Sequence, residues 1–236
     1  MQFIEQSVQE EVGIVRMNYK EKNALAGPFV QELRESLAAL EKDSAVKSVV
    51  ITGGQEKYFC TGLDLEWMGS QQYEDVIQFL VNVNQLLKQT ALFFKPLIGA
   101  INGHAFGLGA IWASGFDFRL MREDKGWVCF PEMDINIPFL PGMIALCEHG
   151  LGVRTFREMA WTSKRYNGPE ALALGWAREI AARDALLPKA IELAEFMAKK
   201  AQPAFGLTKR RWARHIARTI DELDTDALRE QLPKPK

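Results

Sequence analysis

From Pro96 to Phe116 the chain carries no Asp, Glu, Lys or Arg. An apolar run, Leu97 to Ile101, meets Asn102-Gly103-His104-Ala105-Phe106-Gly107-Leu108-Gly109 and then small and apolar residues up to Gly115. So long an uncharged stretch has to be buried. A membrane span is one solution, but Pro96, five glycines, Asn102 and His104 argue against it. The other is a core strand that feeds a buried helix through a Gly-rich turn. Such a turn lets backbone N–H groups approach a ligand with no side chain in the way, and a helix start adds the positive end of its dipole. The stretch therefore suits a developing negative charge. A dinucleotide fingerprint fails, because Trp112 stands where the third glycine of G-x-G-x-x-G belongs. A nucleophile elbow around Ser114 fails at Trp112 and Phe116.

The remaining chain bounds the class. At 236 residues and 47% hydrophobic it can build one large domain, and a net charge of −1 gives no general case for nucleic acid or an anionic membrane. Cys60, Cys129 and Cys147 are odd in number and widely spaced, which fits a reducing compartment. Met1 to Gln6 carries an acid instead of a signal-peptide pattern, so a cytoplasmic protein is expected. No H-E-x-x-H or C-x-x-C occurs, so no metal is expected.

Patterning predicts strands over 3–9, 13–17, 46–52, 58–60, 97–101, 118–122, 127–130 and 178–181. It predicts helices from Pro28 to about Lys42 and from Tyr73 to Thr90, with shorter ones over 143–147, 156–161 and after Pro169. From Leu186 the chain reads as helical, interrupted near Pro203, with a disordered tail after Leu232. That is an α/β core over 1–185 followed by a helical region over 186–236.

Four motifs in order give the chain a family. Asn23-Ala24-Leu25, Tyr58 to Leu65, Pro96 to Gly109 and Phe130-Pro131-Glu132 together resemble the crotonase (enoyl-CoA hydratase/isomerase) superfamily over most of the chain. The resemblance implies a spiral of ββα units, a C-terminal helical oligomerisation or cap region, and a homotrimer or dimer of trimers. Its substrates are acyl-CoA thioesters, with CoA part of the substrate and no separate cofactor. It implies that the N–H groups of Leu63 and Leu108 hold the thioester enolate oxygen. Ala24, Leu25, Thr61, Gly62, Asp64, Leu65, Gly107, Ile111 and Lys209 would line or bind the substrate, Lys209 through a CoA phosphate.

Hydratases of this superfamily use two glutamates. Glu132 matches one; Ile111 stands where the other belongs. The chain is thus similar to Δ3,Δ2-enoyl-CoA isomerases of fatty acid oxidation, in which a single carboxylate shuttles a proton, and the loop Pro131-Glu132-Met133-Asp134-Ile135 matches theirs. Ile111, Trp112 and Phe130 or Ile135 are expected to wall off water, with Phe79 and Phe93-Phe94 as candidates for the acyl tail. Asp134 and Asp64 read better as structural, and Asp117 as a partner of Arg119. His104 reads as packing. Two alternatives stay open: a hydratase or related lyase that recruits an acid such as Glu74 or Asp75, and a non-catalytic acyl-CoA or RNA binder using Lys209 to Arg214.

Overall fold

The computed structural model describes residues 1–200 and 202–232; the tail beyond Leu232 lies outside them. The chain opens with an antiparallel hairpin, β1 (Ile4–Gln9) and β2 (Val12–Met17), followed by α1 (Gly27–Lys42). Three units then each place two strands ahead of helix. The first is β3 (Ser48–Gly53) and β4 (Tyr58–Cys60) with α2 (Leu65–Gly69) and α3 (Tyr73–Leu92). The second is β5 (Leu97–Ile101) and β6 (His104–Phe106) with α4 (Leu108–Ser114). The third is β7 (Phe118–Arg122) and β8 (Val128–Cys129) with α5 (Pro141–Leu151) and α6 (Val153–Thr162). Next come α7 (Gly168–Leu174), β9 (Glu179–Ala181), α8 (Arg183–Ala198), α9 (Gln202–Trp212) and α10 (Arg214–Thr219). A π-turn (Ile220–Asp224) and α11 (Thr225–Gln231) close the described chain.

The two strands of each unit go to different sheets. The larger runs β1-β2-β3-β5-β7-β9, parallel from β2 onward; the smaller is the parallel trio β4-β6-β8. This is the α/β spiral of ββα units expected from the motifs. Burial of both faces of the large sheet explains the near-continuous β-branched run in β3. Val49 and Ile51 point to the main core with α1 and α3, whereas Val50, Ile98 and Leu120 point to Leu186, Ala190 and Ala194 of α8. The boundary drawn at 185 therefore falls inside a helix that covers the sheet. Pro203 lies in the first turn of α9, where proline is tolerated, so the break in the helical run precedes it. Two short elements escaped the sequence pattern, α2 and β6, both too brief to show a period.

Candidate active site

The trio β4-β6-β8 decides where the chemistry can be. Leu63 follows the end of β4, Leu108 that of β6 and Glu132 that of β8. Because the strands are parallel and adjacent, all three emerge on one edge, as ligand-binding groups do at the carboxyl ends of parallel strands.

The turn carrying Leu63 is laid on the Asn23-Ala24-Leu25 segment. Leu25 N–H donates to Gly62 O (2.7 Å), and Leu25 O accepts from Asp64 N–H (2.9 Å). In this parallel bridge Leu25 uses the groups on either side of residue 63, so the Leu63 N–H itself faces away from it. Asn23 explains the motif: it is fully buried at φ 48°, its Oδ1 accepts from Tyr19 N–H (2.8 Å), and its Nδ2 donates to Phe59 O (3.1 Å). Asn tolerates that backbone region and ties both sides of the turn together.

The two turns touch. Gly62 has φ +86°, and a Cβ there would stand 3.0 Å from Leu108 N. Gly107 has φ 51° and ψ −131°, a region that only glycine occupies comfortably. Among the described residues neither the Leu63 N–H nor the Leu108 N–H meets an acceptor. Two unpartnered backbone donors on abutting turns are groups of the kind that can stabilise a developing oxyanion. With α4 only seven residues long, the Leu108 N–H matters more than any helix dipole.

Glu132 stands beside them. Its Oε1 lies 3.4 Å from where a Gly107 Cβ would be. It is 7% exposed, and Oε2 has no partner among the described residues. Burial pushes its pKa up to about 7, with its own backbone N–H opposing. Desolvation is what raises a carboxyl in apolar surroundings, and a value there suits a proton shuttle near neutrality. Ile111, on the first turn of α4, is buried in the main core. No group of three or more His, Cys, Asp or Glu that could hold a metal occurs among the described residues, and no helix there is long and apolar enough to cross a membrane.

The structure thus brings Ala24, Leu25, Thr61, Gly62, Leu63, Asp64 and Leu65 together on one turn and its support, with Gly107, Leu108 and Ile111 on the next. Several expectations are corrected. Asp64 takes the bracing role read for it and not the substrate-binding one: its oxygens cap α2 at Trp67 N (3.0 Å) and pair with Lys20 (3.0 Å). Lys209 is not a phosphate contact within this chain: it is buried against Asp117 (2.7 Å), which also accepts from Leu97 N–H (2.8 Å). That pair sits where β5 starts, at the opposite end from the Gly-rich turn. Arg119 accordingly does not hydrogen-bond to Asp117; it donates to the carbonyls of Phe116 (2.7 Å), Trp176 (2.6 Å) and Ser114 (3.2 Å) and so clamps the end of α4. Trp112 faces Phe59 and donates to Thr90 Oγ1 (2.8 Å), and Ile135 is exposed, so neither walls the carboxyl. Glu74 and Asp75 are exposed in the first turn of α3. His104 stacks among Phe106 and Trp127, as its sequence context suggested. The support given by Asn23 had no assigned role in the sequence, and Arg119 was assigned only as a partner of Asp117; a motif asparagine beside a buried turn was the one available signal.

A family model described as enoyl-CoA hydratase/isomerase matches residues 7–228. The chain belongs to the enoyl-CoA hydratase/isomerase family. Within it, the mitochondrial enoyl-CoA hydratase of Pongo abelii is 31% identical over 84% of this chain and 67% of its own length. Enoyl-CoA delta isomerase 3 of Arabidopsis thaliana is also 31% identical, over 70% of this chain and 72% of its own. In fold, the crystal structure of an enoyl-CoA hydratase from Mycobacterium marinum superposes with TM-score 0.87 at 24% identity, covering 97% of this chain and 99% of that one. This crotonase-family enzyme is therefore of a kind that acts on acyl-CoA thioesters.

Proposed function

We propose that the enzyme is a Δ3,Δ2-enoyl-CoA isomerase of fatty acid oxidation with Glu132 as its single acid/base. The observation that carries this is a buried carboxyl beside the Leu108 turn, taken with an isoleucine, Ile111, where the family resemblance puts the second glutamate of a hydratase. In the reaction the Glu132 carboxylate takes a proton from C2 of a 3-enoyl-CoA. The C2–H electrons move into the thioester, giving a dienolate whose oxygen is held by the Leu63 and Leu108 N–H groups. Protonated Glu132 returns its proton to C4; the carbonyl re-forms and the double bond now joins C2 and C3. Nothing is added or lost. Hydration would need a second group to activate water, and apolar Ile111 cannot do so.

The test is to supply purified protein with 3-enoyl-CoA and, separately, crotonyl-CoA. Double-bond shift with weak hydration is expected. Strong hydration without a shift overturns the proposal in favour of the hydratase reading.

A further inference from the structure

Among the described residues no other side chain hydrogen-bonds the Glu132 carboxyl, which meets only its own backbone N–H: Oε2 is buried without a partner, and Oε1 rests against Gly107. The backbone of the loop over 131–140 must therefore place it. Residues 133–138 of that loop are exposed. Its internal bonds, Ile135 N–H to Pro131 O (3.1 Å) and Ile137 N–H to Glu132 O (2.9 Å), tie it only to itself. Downstream it is held by the buried Phe139, packed on Phe130 and Phe156, by Leu140, and by the C-terminal arm. Asp224 Oδ1 accepts from Gly142 N–H (2.8 Å), and Gln231 Nε2 donates to Pro138 O (3.0 Å).

Asp224 is a demanding choice for an anchor. It is 1% exposed, and its Oδ2 has no partner among the described residues. Burial pushes its pKa up to about 6. It ends the π-turn, a local widening that often marks functional positions, and Gly142 has no room for a side chain between Ile220 and Asp224. A carboxylate buried on one donor destabilises the fold relative to a neutral side chain. What it does gain is one particular partner, the Gly142 N–H, an orphan donor in the first turn of α5.

We infer that Asp224 is a positioning residue: by gripping the Gly142 N–H it fixes the loop that aims Glu132 at the substrate. This rests on Glu132 being the acid/base.

The test compares wild type with Asp224→Ala, Asp224→Asn and Gln231→Ala. It reads kcat and KM on 3-enoyl-CoA and crotonyl-CoA, and hydrogen–deuterium exchange of the amides over 132–137. Asp224→Ala is expected to lower kcat by about tenfold or more, since small misplacements of a catalytic group are costly. KM should stay within about twofold, because the proposal places the loss on the acid/base and not on ground-state binding. The Ile135 and Ile137 amides should exchange faster. Asp224→Asn still offers an oxygen to Gly142 and should keep kcat within about threefold of wild type; Gln231→Ala should fall between. A purely structural anchor would lower the melting temperature and leave kcat of the folded enzyme unchanged. That result, or Asp224→Asn falling as far as Asp224→Ala, overturns the inference. Should Asp224→Ala not fold, Asp224→Asn and Gln231→Ala decide by the same criteria. If wild type converts neither thioester while the variants still loosen the loop, the acid/base proposal falls and the positioning of the loop stands.

Discussion

Replacing Glu132 by Gln should abolish turnover and at the same time make the protein more resistant to unfolding at alkaline pH. In the unfolded chain the carboxyl ionises near its ordinary value of 4.5; in the fold burial moves it to about 7. Between those values the folded state keeps a proton that the unfolded state has released. Wild-type stability therefore falls as pH rises through that window and levels off above about 7. The gap, at about 1.36 kcal/mol per pH unit, amounts to roughly 3 kcal/mol. Glutamine has nearly the same shape and does not titrate. Its amide adds a constant offset, because it too lacks partners there, but that offset does not depend on pH. The quantity to measure is thus the difference in unfolding free energy between Glu132→Gln and wild type, by urea titration from pH 4.5 to 8.5. All other titrating groups cancel in that difference. It should swing in favour of the variant by up to about 3 kcal/mol, or roughly 2–4 °C in melting temperature per kcal/mol for a chain of this size. A flat difference across that range would refute the claim that the carboxyl is desolvated by burial.

The same titration should appear in catalysis: kcat/KM should rise about tenfold per pH unit below about 7 and level off above it, since the carboxylate is the active form. Gly62→Ala should lower kcat and cost about 1 kcal/mol or more of stability, because it puts a methyl group at φ +86° against Leu108 N; chemical denaturation and steady-state kinetics check both. Lys209→Met should destabilise by about 3 kcal/mol, by stranding Asp117, while leaving KM for acyl-CoA unchanged; a raised KM would restore a phosphate role. Light scattering after size exclusion should report three or six copies of the chain, the assembly that the family resemblance implies.

Much of this was legible in the sequence for a specific reason. The donors proposed for the oxyanion are backbone groups, so what the sequence must specify is the glycines that permit the turns, and Gly62 and Gly107, both at positive φ, mark them. Glu132 was legible because its motif places it just beyond a strand. The partnership of Lys209 with Asp117 was not, since the two are 92 positions apart and a basic run on a helix looks the same whether it faces water or a buried acid. Asp224 was equally silent: one acid among several in the C-terminal helices, distinguished only by the glycine it meets. The boundary near 185 falls inside α8 because in sequence α8 looks like the start of a helical appendage, and only the sheet's second face reveals what it covers.

The trio β4-β6-β8 has a consequence for how such an enzyme can vary in length. Its strands meet over two residue pairs at each interface, Tyr58 with His104 and Cys60 with Ala105, then Ala105 with Val128 and Phe106 with Cys129. Those pairings set the mutual offsets of Leu63, Leu108 and Glu132. Extra residues in the crossovers, such as the exposed turn over 123–125, leave the offsets untouched. One residue added within β6 would slide Leu108 past both Leu63 and Glu132. Insertions and deletions between relatives should therefore crowd into the crossovers and spare three short segments that are too brief to stand out in any pattern of hydrophobicity.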